Sequence, residues 1–223
     1  MRKMILYKEW LKTRWALLAI AVILAAGTAF TLLNVGKTAE LNGPDALWSV
    51  LIMKDTVLVD MLRFLPLAAG IVLAAAQFLP ETQARRLKLT LHLPYPQKRM
   101  LADMYGYGIL VLTILFGLMA LVLVFVLRKW FVAELVARIL ATAAVWFLAG
   151  YAGYLWTAAV ILEPTWRLRI VLILLLAGLV RLLFISSVPE GYNGFLPWLV
   201  LYVFFGQILL FHSVARFKEG LQD

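Results

Sequence analysis

The sequence predicts an all-α, polytopic membrane protein. It reads as a single transmembrane domain over residues 1–223, with six helical spans and an N-terminal interfacial helix, and with a short amphipathic segment between the second and third spans. Three observations predict this class. First, 64% of the residues are hydrophobic and the mean hydropathy is +0.93, well above the roughly 45–50% apolar content of soluble domains. Second, the apolar residues gather into runs of about 20, the length a helix needs to cross about 30 Å of hydrocarbon. Third, the charge is basic, with 21 Lys and Arg against 12 Asp and Glu for a net +9, and it collects between the runs. In a soluble protein that surplus would suggest nucleic acid. In an oily chain the positive-inside bias and anionic headgroups account for it, so membrane lipids are the expected partners and nucleic acid is not. The absence of cysteine excludes disulfides and thiolate metal sites. No cleavable signal is expected, because a long amphipathic stretch precedes the first run and no small-residue cleavage site follows it.

The chain opens with "MRKMILYKEWLKTRW". Met4, Tyr7, Leu11 and Trp15 recur at helical spacing and share one face with the neighbouring Trp10, while Arg2, Lys8, Glu9 and Lys12 fall mostly on the other. Aromatic side chains at headgroup depth with cations on the wet side describe a helix over residues 1–14 lying in the membrane plane. It serves either as a plain anchor or as an elbow that bears on a cytoplasmic partner. The spans follow at about 15–33, 57–79, 104–127, 139–162, 170–188 and 195–213. Each must be helical, since backbone groups in hydrocarbon have to be satisfied within the segment. The runs 104–127 and 139–162 contain no charge, 57–79 carries Asp60 and Arg63 near one end, and 170–188 carries only Arg181. Pro66 in the second span and Pro197 near the start of the sixth are sites where a helix could bend. Small residues in "AAGTA", "AAGIVLAAAQ" and "LAGYAGY", the last with Gly150 and Gly153, permit close helix packing.

The flanking cations set the orientation. Arg2, Lys3, Lys8, Lys12, Arg14, Arg85, Arg86, Lys88, Lys98, Arg99, Arg167, Arg169, Arg216 and Lys218 fall on one side, fourteen in all. Seven fall on the other: Lys37, Lys54, Arg63, Arg128, Lys129, Arg138 and Arg181. Both termini and the segment 80–103 are therefore expected in the cytoplasm, with the chain in the cell (inner) membrane of a prokaryote. Residues 34–56 form the one sizeable outer loop, and "SSVPEGYNG" is a turn-rich one.

Catalytic and ligand-binding motifs are scarce. "NVGKTA" holds the Gly-Lys-Thr of a phosphate-binding loop, but Thr31 stands where the first glycine is required and the stretch falls on the outer side. His92 and His212 lack ligand partners at metal spacing. No protease elbow or His-Glu-x-x-His is present. The chain is thus expected to be no enzyme and to hold no cofactor. Charges within the spans are functional candidates by default. Asp60 with Arg63 and Glu134 with Arg138 have the spacing to pair along their own helices. They are either locally neutralised or, with Arg181, part of an outer gate or vestibule. Arg181 has no helical partner and needs Glu190, an acid on another span or a lipid phosphate. The aromatic run "YVFFGQILLF" reads as lipid-facing or core surface, or as the wall of a path for apolar cargo.

The most informative stretch is "RRLKLTLHLPYPQKRML", from Arg85 to Leu101. Ala84, Leu87 and Leu91 have helical spacing, whereas Leu87, Leu89, Leu91 and Leu93 also alternate as a strand does, so periodicity leaves both open. Pro94 and Pro96 break the backbone and "QKRML" restarts it. A headgroup anchor has no need of an acid, a leucine ridge, a double proline break and a second basic cluster in this order. A surface held to receive a push from a partner uses all four.

These residues resemble the loop between the second and third spans of ABC-type exporter permeases, the six-helix membrane subunits that export drugs, polysaccharides, lipids or peptides. That loop typically reads acid, small pair, leucine-rich helix, Leu-Pro, basic residues and an apolar helix start. Glu81, Leu87, Leu91, Leu93, Pro94, Lys98, Arg99 and Leu101 match it, while Arg85 and Arg86 stand where a Gly-Thr pair is common. The resemblance implies a permease subunit that dimerises with a second permease chain, identical or related. A separate cytoplasmic ABC ATPase subunit, which holds the ATP and Mg, would drive it. ATPase coupling falls to Glu81, Leu87, Leu91, Leu93, Pro94, Lys98 and Arg99, and the elbow helix presents Tyr7, Trp10, Leu11 and Trp15. The few polar groups in the spans suit an amphipathic or hydrophobic substrate. A non-transporting scaffold or sensor for cytoplasmic partners and a secondary transporter are the alternatives.

Overall fold

A computed structural model describes residues 2–42, 59–82, 97–186 and 188–205. Among these the chain is helical, without strands. Helix α1 covers Arg2–Asn42, a 3-10 turn covers Asp60–Leu62, and α2 covers Leu65–Thr82. Helix α3 covers Gln97–Leu127, α4 Ala133–Leu162 and α5 Trp166–Leu182. A short apolar helix, α6 (Asn193–Phe205), opens with a 3-10 turn at Asn193–Phe195.

The N-terminal stretch is not a separate elbow. α1 runs 41 residues without a break at Trp15, because its first half contains no glycine or proline before Gly27 and nothing interrupts the hydrogen-bond ladder. Its threonines do not break it either. Thr13, Thr28, Thr31 and Thr38 each donate a hydroxyl to the carbonyl four residues back, at 2.7–2.9 Å, which satisfies a polar group inside an apolar helix. The sequence that follows, Gly43-Pro44, favours a stop.

Four helices among the described residues are long and apolar enough to cross a membrane, rather than six: 3–41, 60–82, 99–127 and 133–162. They contain the first, third and fourth expected spans and residues 60–79 of the second, whose residues 57–58 lie outside the described residues. The fifth, expected over 170–188, is instead the 17-residue α5, which starts four residues earlier and ends at Leu182. The turn-forming sequence Ser186 to Gly191 takes over there. Residues 206–213 of the sixth lie outside the described residues. Pro66 does not bend the second span, because it sits in the first turn of α2, where no backbone donor is needed. The break comes before it, at the 3-10 turn. α4 ends at Leu162, and the extended backbone of its C-cap Glu163 (ψ 122°) is what the following Pro164 demands.

The tightest packing is between α2 and α4, and small residues make it possible. A Cβ on Gly70 would run into the carbonyl oxygen of Gly150, and one on Gly153 would stand 2.9 Å from the carbonyl oxygen of Leu67. Around this seam Leu73, Ala74, Phe78, Tyr154, Leu155, Ala158, Ala159 and Leu162 are almost wholly buried. Phe78 stacks on Tyr105 of α3 with ring centroids 5.1 Å apart. α1 lies against α2 and α3. The N-terminus of α1, the C-terminus of α2, the start of α3 and the end of α4 meet at one end of the bundle. Thr13 touches Tyr107 there, and Tyr154 touches Gln77.

Candidate functional site

At that end α1, α2, α3 and α4 enclose a network of charged and polar side chains. Glu9 and Thr13 of α1 and Gln77 of α2 are fully buried, and Glu81 is 3% exposed. α1 carries Lys8, Glu9, Lys12 and Thr13 on consecutive turns of the face turned to the bundle, and α2 places Gln77 and Glu81 one turn apart. Lys12 Nζ is the centre. It lies 2.7 Å from Glu81 Oε1 and 2.9 Å from Glu9 Oε2, and it also donates to the carbonyl of Gln77 at 3.2 Å. Lys8 Nζ approaches Glu81 Oε1 at 2.9 Å from the more exposed side. Two acids and two lysines thus form a locally neutral cluster, the arrangement that buried charges require.

A neutral layer caps the cluster on the membrane side. The hydroxyls of Thr13 and Tyr107 hydrogen-bond at 2.8 Å. Gln77 Nε2 donates to the carbonyl of Met104 at 2.9 Å, and Tyr154 donates to Gln77 Oε1 at 2.7 Å. One glutamine therefore ties three helices together. The second carboxylate oxygen of Glu81 and the hydroxyl of Tyr105 are buried with no hydrogen-bond partner among the described residues. Beside this layer, at the α4–α5 turn, Thr165 donates to Glu163 Oε1 at 2.9 Å and Arg169 donates to the Glu163 carbonyl at 2.7 Å.

The residues expected to act at this end fare differently. Glu81 is in the network, as a buried ion-pair partner of the N-terminal stretch. Leu87, Leu91, Leu93 and Pro94 lie outside the described residues. Lys98 and Arg99 fall in the first turn of α3, with Arg99 exposed, while Met100 and Leu101 are buried. Tyr7, Trp10, Leu11 and Trp15 are all exposed on the outer face of α1. The opposite face is the correction. Glu9 and Lys12 were expected toward water, and they turn inward because Glu81 offers the charge partner that a helical projection does not show. Thr13, Gln77, Tyr107 and Tyr154 carry no signal in the sequence reading, which placed Lys12 toward water. The one signal that could have found them is Gln77 with Glu81 four residues on, two polar groups on one face of an apolar helix.

The other end of the bundle holds Asp60 and Arg63; Arg181, in the last turn of α5 at the same end, does not line the cavity that they share. Arg63 donates to the carbonyl of Phe184, lies over the rings of Phe64 and Phe184 at 5.5 and 5.6 Å, and is 3.9 Å from the Asp60 carboxylate. Arg138 Nε is 3.7 Å from Glu190 Oε2, across the bundle rather than along its helix to Glu134. Glu190 holds a left-handed backbone (φ 61°), its amide donating to Thr142 Oγ1 at 3.2 Å. Glu190 is thus the partner of Arg138, and Arg181 is exposed in the last turn of α5 with no acid beside it among the described residues. The cavity bounded by Asp60, Arg63, Thr142, Ser186, Glu190 and Tyr192 is about 20 Å³, room for about one water.

The four long apolar helices among the described residues mark an integral membrane protein of the all-helical class. The chain matches no protein-family model, no curated protein and no solved structure.

Proposed function

We propose that the chain is the permease subunit of an ATP-driven ABC-type transporter. It would export an amphipathic or hydrophobic substrate and be powered by a separate cytoplasmic ATPase. The observation that carries this reading is how the two ends of the segment 83–96 are held. On one side Glu81 is clamped by Lys8 and Lys12 of α1. On the other, α3 starts at Gln97 and is fixed within two turns by the buried Met100 and Met104, whose carbonyl is bound by Gln77. A push on the segment would therefore reach α1, α2 and α3 together. That is the requirement for a surface through which nucleotide binding biases two arrangements of a bundle. The basic flanks support a cytoplasmic location for this end, where such a partner would work.

The test is co-expression with a cassette ATPase encoded beside it, followed by affinity purification. The ATPase should copurify, and the double substitution Leu87→Asp with Leu91→Asp should release it. Retention by the double variant would refute the assigned contact. Partner binding without ATP-dependent flux in proteoliposomes would favour the scaffold reading, and flux driven by an ion gradient alone would favour a secondary transporter.

A further inference from the structure

The outer faces of α1 and α3 enclose a groove that the network at their base does not use. Thr13 faces Tyr107 at the N-terminal end, and the two helices run parallel from there, so residue pairs stay level along their length. The first cavity, about 530 Å³, lies among Trp10, Arg14, Trp15, Ala21, Ile114 and Leu115. A second, about 410 Å³, shares Ala21 and Leu115 and continues past Thr28 and Met119 to Val122. The walls are hydrocarbon almost throughout. The hydroxyl of Thr28 is already spent on the carbonyl of Leu24, at 2.7 Å. Arg14 stands at one end, exposed, over the ring of Trp15 at 5.6 Å and without an acid among the described residues. From Trp10 to Ala21 the groove climbs about 16 Å at 1.5 Å per residue, close to one leaflet of a bilayer of about 30 Å.

The geometry points to a bound anionic phospholipid, with its phosphate on Arg14 between Trp10 and Trp15 and one acyl chain along the α1–α3 groove. Charge complementarity selects it. The one charged side chain lining the groove among the described residues is the Arg14 guanidinium, which suits a phosphate, and indole rings favour headgroup depth. An extended peptide would bring backbone donors and acceptors that these walls cannot satisfy.

Native mass spectrometry on the delipidated, detergent-solubilised full chain tests this, with phosphatidylglycerol and phosphatidylcholine of identical acyl chains as probes. Retention of one phosphatidylglycerol per chain is expected, with about a fivefold preference over phosphatidylcholine. Arg14→Gln should remove the preference while leaving weak retention of both lipids. Ala21→Trp, which fills the shared wall, should remove retention of both. If that variant does not stay folded, Ile114→Trp fills the groove from the other helix. Equal retention of the two lipids by the unaltered chain would overturn the proposal. So would a preference that survives Arg14→Gln, or a groove variant that binds as before. Cross-linking of α1 to α1 between two copies through Trp15 and Leu18 would also overturn it.

Discussion

Lys12 is the residue on which the N-terminal end of the bundle turns. It faces two carboxylates, at 2.7 and 2.9 Å, and Glu9 beside it is fully buried. Replacing Lys12 by Met leaves Glu9 and Glu81 to the more exposed Lys8, 2.9 Å from Glu81 but 3.9 Å from Glu9. Removing one member of a buried pair costs about 3 kcal/mol, so a clear drop in the detergent melting temperature is expected. Adding Glu9→Gln should recover part of that loss, since the uncompensated charge is then gone. Strictly additive losses in this double-mutant cycle would show that the two residues are not coupled. Tyr154→Phe is a smaller test. It strips Gln77 Oε1 of its donor and should cost about 1–3 kcal/mol, with the ring contacts kept. None of these partnerships is visible in sequence. Lys12 and Glu81 are 69 positions apart, and a helical projection of residues 1–15 assigns Lys12 to water because it knows nothing of α2. Glu81 stood out through its place after Pro80, as a contact for a partner, while its ion pairs with Lys8 and Lys12 of α1 did not.

At the scale of elements, glycines divide into those that seat a neighbour and those that do not. Gly70 and Gly150 bring α2 and α4 together at backbone contact, whereas a Cβ on Gly117 would meet nothing within 4 Å. Gly70→Leu should prevent stable assembly of the pair. Gly70→Ala should cost about 1–3 kcal/mol, since the clash is with backbone that cannot turn aside. Gly117→Ala should be neutral, or stabilise by about 0.5–1 kcal/mol through helix propensity. Melting curves of the purified variants check all three, and a Gly70→Ala variant as stable as the parent would contradict the seam. The small-residue clusters on these spans were readable as packing surfaces, and so were the four long helices, because length and apolarity alone decide what can cross hydrocarbon. The end of α5 was not. Ile170–Val188 is apolar enough for a span, but the chain leaves the helix at Leu182 for a turn closed by Tyr192, whose hydroxyl donates to the carbonyl of Leu182 at 2.7 Å. Hydropathy does not register such a contact.

For the whole molecule the decisive quantity is which end faces the cytoplasm. The chain has no cysteine, so a single Thr90→Cys or Gly194→Cys gives an unambiguous accessibility probe. In intact cells an impermeant thiol reagent is expected to label Gly194→Cys, and to label Thr90→Cys only after the cells are opened. The reverse pattern would put the charge network outside and remove the basis for an ATPase partner. Labelling is read by mass shift on a gel, and Gly194 is exposed with room for a side chain, since a Cβ there meets nothing within 4 Å.

The unbroken α1 has a mechanical consequence. Its 41 residues measure about 60 Å, roughly twice the thickness of the oily layer. At any tilt up to about 40° it stands proud of at least one surface as a stiff rod. A tilt of a few degrees imposed at its charged foot, where Lys8 and Lys12 grip Glu81, would swing the far tip by several times the displacement at the foot, with no flexible joint between to absorb it.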